Sequence, residues 1–273
     1  MTFTYIFHSG FIVETSECIL IFDAWIDPAH VISKALLKQK PTYVFASHHH
    51  EDHFSREILS WKSLFPHTPF TIILSKDILE HHCADATDAD IWLEKGMHWS
   101  DRRLSVYATG SNDSGVSWIV ETAGKRIFHA GDLNNWYARF LNETYQYKNI
   151  LTEEFEYVNP QQEENRFLEE LNDIEKITKQ FDVVMFPVDG RIGNGYTKGA
   201  RQFLDHFDVG TLIPMHFAGS SFESAWRMNE FAQESGYSID LTVERYHHEI
   251  YLSDLRKIDI NKMKTVIRQP VKE

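Results

Sequence analysis

The sequence predicts a mixed α/β fold in which two sheets pack together with helices outside, or another mixed layered arrangement. Two observations predict it. Strand-like runs crowd the opening of the chain, and later strand-like runs alternate with helical ones. No low-complexity linker or short repeat interrupts this order.

The opening reads as a β-meander. Residues 3–7 (FTYIF), 11–15 (FIVET) and 18–22 (CILIF) are rich in aromatic and β-branched side chains, with turns at His8-Ser9-Gly10 and Ser16-Glu17. A short helix is expected over 31–39, then a buried strand over 42–47 that runs into a histidine cluster. From Phe54 onward, Phe54, Ile58, Trp61 and Phe65 share one helical face. A strand at 70–74, a helix near 76–83 and strands at 104–108, 116–122 and 125–128 follow. Residues 161–180 form a polar helix with the apolar stripe Phe167, Leu171, Ile174 and Ile177. A strand at 182–186, a helix near 198–207, a strand at 211–214, a helix near 221–235 and strands at 240–246 and 249–252 complete the pattern. The expected organisation is one domain over 1–255, with a helical insertion or cap at about 134–180 and a peripheral tail over 256–273.

Composition narrows the function. A chain of 273 residues can bury a large core without disulfides. Its 27 Lys and Arg against 40 Asp and Glu give a formal charge of −13, which argues against binding large nucleic acids through phosphate contacts. The two cysteines, Cys18 and Cys83, are expected as reduced thiols. The N-terminal residues lack the basic and apolar regions of a signal peptide, and no apolar run reaches the ~20 residues a membrane span requires. The expectation is a cytoplasmic protein with a small-molecule substrate and no membrane partner; a homo-oligomer is compatible with it.

The chemistry concentrates in Ser47-His48-His49-His50-Glu51-Asp52-His53, which contains HxHxDH as His48, His50, Asp52 and His53. Imidazole nitrogens and a carboxylate oxygen suit zinc, iron or manganese. Alternate positions 48 and 50 can face one side, while Asp52 and His53, at the turn into a helix, can face a second ion. His49 and Glu51 occupy the x positions and are not expected as ligands. The bland reading is a polar, His-rich turn. Two strand ends add donors: Gly131-Asp132 presents a carboxylate from a tight turn, and Met215-His216 presents an imidazole.

These residues resemble those of the metallo-β-lactamase-fold hydrolases, particularly the branch similar to ascorbate-6-phosphate lactonases. The resemblance covers roughly residues 3–252 and includes His8-Ser9-Gly10, Asp23, HxHxDH, Gly131-Asp132 and His216. It implies a four-layer αββα sandwich with metals at one edge of the sheets. By motif, His48 and His50 would hold a first ion and Asp52, His53 and His216 a second, with Asp132 bridging them. Asp23 would orient a ligand imidazole from behind. One departure stands out. The family supplies a further first-ion histidine, whereas residues 107–115 contain none. Asp113, Ser111 or water would fill that position, leaving the first site weaker, empty or selective for another metal. His98 and His129 lie outside the usual motif position.

The implied reaction is hydrolysis, because a divalent ion lowers the pKa of bound water towards ~7 and yields hydroxide at neutral pH. Asp52 is a candidate for handling the proton as well as for ligation. One or two zinc ions are expected, with manganese or iron as alternatives. Arg191 and Tyr196, in a Gly-containing loop after a strand, are candidates for substrate binding; a salt bridge to a loop acid is the bland reading of Arg191. Trp136, Tyr137, Phe140, Tyr145 and Tyr147 would cap a pocket or pack within an insertion. The expected substrate is a small, anionic ester, lactone or phosphoester. The alternatives are a phosphodiesterase or nuclease, and a redox or non-catalytic metal-binding protein on the same fold.

Overall fold

In a computed structural model, residues 1–140, 145–148, 155–217 and 252–253 are described. The opening meander is β1 (Thr2–Phe7), β2 (Gly10–Glu14) and β3 (Ile19–Phe22). With β4 (Thr42–Ala46), β5 (Phe70–Ser75) and β6 (Ile91–Leu93) it builds a six-stranded sheet in sequence order. The second sheet has the order β15-β14-β13-β10-β9-β8-β7. Its members are β7 (His98–Ser100), β8 (Leu104–Gly110), β9 (Val116–Thr122), β10 (Lys125–His129), β13 (Gln180–Pro187), β14 (Asp208–Met215) and β15 (Leu252–Ser253).

Period-two alternation places side chains on opposite faces of each strand. Ile19 and Ile21 join a cluster with helices α1 (Val31–Leu36), α2 (Glu57–Leu64) and α3 (Lys76–Glu80). Leu20 and Phe22 face the other way, into the main core with Val106, Trp118 and Val120 of the second sheet. That core extends to Phe167, Leu171 and Ile174 of α4 (Pro160–Glu175) and to Ala200 and Phe203 of α5 (Lys198–His206). Helices therefore cover the outer faces of two packed sheets, as expected. No helix among the described residues is long and apolar enough to cross a membrane.

Several local expectations change. The short strands β6 and β7 were not anticipated, because three residues are too few to show alternation. Helix α2 begins at Glu57; Phe54 precedes it but is buried beside Ile58 and Trp61. Helix α4 ends at Glu175, so Ile177 leaves the apolar stripe and is 44% exposed. The stretch at 134–180 contains, besides α4, a hairpin of β11 (Tyr145–Lys148) and β12 (Phe155–Val158). The helix expected near 221–235, the strand at 240–246 and the tail over 256–273 lie outside the described residues.

Strand direction positions the chemistry. β3 runs parallel to β4, and β10, β13 and β14 run parallel to one another. The chain leaves these strands at Asp23, Ser47, Ala130, Val188 and His216. Ligand sites in α/β sheets form beyond the carboxyl ends of strands. A cleft of about 670 Å³ opens at the opposite ends of the second sheet, among Arg102, Arg103, Glu121, Arg126 and Asp182. No metal-donor group among the described residues falls there.

Candidate metal centre

The histidine loop is built by close backbone approach. Val116 N donates to Ser47 O at 3.0 Å. A Cβ on Gly115, whose φ is +60°, would lie 2.1 Å from Ser47 O; one on Gly131, φ +53°, would lie 2.9 Å from Ser47 Cβ. Only glycine accommodates both the left-handed backbone and the contact. Behind the loop, buried Asp23 accepts from Ser47 N at 2.8 Å and Ser47 Oγ at 2.7 Å. Asp77 of α3 accepts from His49 N at 2.7 Å and pairs with its Nδ1 at 2.9 Å, while the His49 ring stacks on His81. His49 thus anchors the loop from outside the cluster.

The remaining donors converge into two groups. His8, Asp52, His53 and His216 place one ligand atom each within 4.8 Å of one another, and so do His48, His50, Asp113 and Asp132. Asp132 lies between them: Oδ1 is 3.0 Å from His53 Nε2 and 3.2 Å from His216 Nε2, and Oδ2 is 3.5 Å from His48 Nε2. Asn112 and Asn134 bring the Asp113 loop to the Asp132 turn, with Asn112 Nδ2 donating to Asn134 O at 2.9 Å and Asn134 N donating to Asn112 Oδ1 at 3.2 Å.

Carboxylates orient two of the candidate ligand imidazoles. His53 Nδ1 donates to Asp23 Oδ2 at 2.7 Å, and His216 Nδ1 donates to Asp189 Oδ2 at 2.8 Å. Each leaves Nε2 turned to the cluster. Asp189 escaped the sequence reading because its other role, accepting from Arg191 N at 2.8 Å, is ordinary turn chemistry. Arg191 places Nε 2.8 Å and a terminal nitrogen 2.6 Å from Asp189 Oδ2, with its side chain 70% exposed. Its terminal nitrogen is also 3.3 Å from His216 Nδ1, but both groups donate towards Asp189. Tyr196 is buried in the main core. Trp136 donates from Nε1 to Asp132 O at 2.8 Å and lies edge-on to His216. His98, on the edge strand β7, meets Tyr107 of β8 at a tilted ring angle with centroids 4.3 Å apart, and buried His129 Nε2 lies 2.8 Å from Ser9 O.

Electrostatics describe a cluster suited to cations. Burial alone would raise the Asp132 pKa, but His216 and His53 hold it well below the carboxylate range. Burial would lower His216, but Asp132 and then Asp189 keep it near 9. His53 is likewise raised by Asp132 and Asp23 against the effect of burial. His48, desolvated and facing His53, falls to about 3 and is neutral. Desolvation and then the negative Asp132 raise Asp113. His53 Nε2, His216 Nε2 and Asp132 Oδ1 are buried and make no directional hydrogen bond despite their short separations. Once their Nε2 protons are displaced, these imidazoles and the carboxylate would aim lone pairs into one shared space, which fits divalent metal ligation.

Comparison with known proteins agrees with this geometry. No curated protein sequence matches the chain. Among solved structures it is similar to a metallo hydrolase, Igni18, from the archaeon Ignicoccus hospitalis: 17% identity over 85% of this chain and 88% of that one, TM-score 0.53. It is also similar to CmlA, a diiron β-hydroxylase from Streptomyces venezuelae, at 10% identity, TM-score 0.54, over 99% of this chain but only 54% of that one. These likenesses show a shared fold. The family profile described as "Beta-lactamase superfamily domain" matches residues 2–140, which include the opening strands, the histidine loop and Asp132. The chain therefore belongs to the β-lactamase superfamily domain family and has the metallo-β-lactamase fold.

Proposed function

We propose that this protein is a metal-dependent hydrolase of a small, anionic ester, lactone or phosphoester. The observation that supports it is the pair of His/Asp donor sets joined at Asp132, one buried and one opening to solvent through His50 and Asp113. Zinc is the proposed ion, in one or two positions, and when bound it would acidify water and polarise the substrate oxygen. Asp52 is held ionised, because His8 and His53 outweigh its burial; that state supports ligation more than proton transfer. Arg191 anchors Asp189, and we propose that its exposed edge holds a substrate anion.

The test is metal-quantified protein screened against lactones, phosphodiesters and thioesters. Metal-dependent turnover of an anionic member is the expected result; tight metal binding with no turnover would make the protein a sensor. In Arg191→Lys, KM for the anionic substrate should rise about 10- to 100-fold, the scale of one lost charged hydrogen bond of ~1.5–3 kcal/mol, while a neutral analogue changes little. Equal losses would confine Arg191 to supporting Asp189.

A second reading is redox chemistry at iron. It is favoured by the donor set of the exposed site, where Asp113 gives a second carboxylate beside two imidazoles, since oxygen donors suit harder ions than zinc. Iron content together with oxygen consumption would select it.

A further inference from the structure

We infer that His8 is a direct ligand of the buried metal site, which then holds three imidazoles, and that this site retains its ion while the exposed site serves substrate. The inference rests on the metal-centre reading above.

His8 stands just beyond β1, on the sheet opposite His216, in a left-handed backbone conformation with φ 55°. Residues with a Cβ rarely adopt it, and such strain persists where surrounding structure enforces it, commonly at functional sites. Asp23 (φ 41°) and His216 (φ 65°) share the conformation, so three residues at this cluster carry it. The enforcing contact is visible: His216 N donates to His8 O at 3.0 Å, tying the end of β14 to the end of β1.

This backbone turns the imidazole inward. His8 is 2% exposed, its Nε2 is 3.2 Å from Asp52 Oδ2, and its ring centroid lies 4.0 Å from that of His216 and 5.8 Å from that of His53. Donors on one ion at ~2.0–2.2 Å stand at most ~4.4 Å apart. The 4.8 Å limit on the His8, Asp52, His53 and His216 atoms meets that with adjustments of a few tenths of an ångström. The two sites then differ in kind. The buried set has His8, Asp52, His53, His216 and the near oxygen of Asp132. The other has two imidazoles and two carboxylates, with His50 and Asp113 exposed. A coordination shell filled by protein favours retention, and an open one favours exchange.

The competing role for His8 is a hydrogen bond that merely holds Asp52. Chelator competition on apo protein reloaded with zinc separates the two. In His8→Gln, which keeps a side-chain N–H donor, the tighter of two binding steps should weaken more than about hundredfold, the ceiling for an outer partner of a metal ligand, with the weaker step unchanged. A loss within about hundredfold overturns the inference. A zinc-soaked crystal structure of the unaltered protein decides the matter independently of how the variant folds. His8 Nε2 should lie about 2.0–2.2 Å from an ion. An ion held by Asp52, His53 and His216 but not His8 overturns this inference alone. No ion at either set overturns the metal-centre reading with it.

Discussion

The two donor sets use the same side-chain types but differ in what stands behind them. His53 and His216 are each backed by a buried carboxylate, Asp23 or Asp189. In the other set, His48 Nδ1 has, among the described residues, the Ser47 hydroxyl at 3.0 Å, and His50 and Asp113 are exposed. A carboxylate behind an imidazole fixes its tautomer and raises its basicity; a hydroxyl does the first more weakly and the second hardly at all. In the proposed reading, one fold makes a holding site and an exchanging site from histidine and aspartate by changing their number, their exposure and their outer partners.

The largest expected effect breaks the comparison by removing what the sets share. Asp132→Ala should strip metal from both, with loss of affinity beyond the ~10–100-fold typical of outer partners, read as metal per chain by elemental analysis. Loss from one set alone would show that the carboxylate is not shared. Next, Asp113→Ala should empty the exposed set and leave the buried one filled, while Asp113→His should tighten the exposed set. Asp189→Asn is milder: about 10–100-fold weaker binding at the buried set only, measured by chelator competition.

A pH series sharpens the contrast at the smallest scale. His216 is raised to about 9 by Asp132 and Asp189 despite its burial. Its contribution to apo stability is therefore complete below the unfolded value of ~6.5 and lost as pH rises through about 9. Metal must displace that proton, so affinity at the buried set should climb over the same window. Apo melting temperature should fall from pH 6.5 to 9 while metal affinity rises. Parallel trends would contradict the assignment of His216.

The layered fold was legible because β3 and β4 are continuous runs rich in aromatic and β-branched residues and α4 repeats its apolar residues at helical spacing. HxHxDH was legible because its donors lie within one loop, where spacing alone signals a metal. Asp132 and His216 needed the family order to stand out, since an aspartate or histidine after a strand is common by itself. His8 was seen only as part of a turn. Its position beside Asp52 and His216 comes from the packing of two sheets and a left-handed backbone, neither of which leaves a local spacing. Asp113 was weighed from a missing histidine, but the Asn112–Asn134 pair that carries it to Asp132 is a tertiary contact without a motif.

The bond from His216 N to His8 O has a consequence for assembly. It joins the first strand of the chain to β14, almost the whole described sequence later; among the described residues β1 otherwise pairs only with β2, at the edge of its sheet. Closing so long a loop is entropically costly and comes late in folding. If His8 and His216 share an ion as inferred, it would act as a clasp across both ends, adding ~4 kcal/mol when free metal exceeds its dissociation constant a thousandfold. Metal supply would then help decide how firmly the first hairpin, at the edge of its sheet, stays docked.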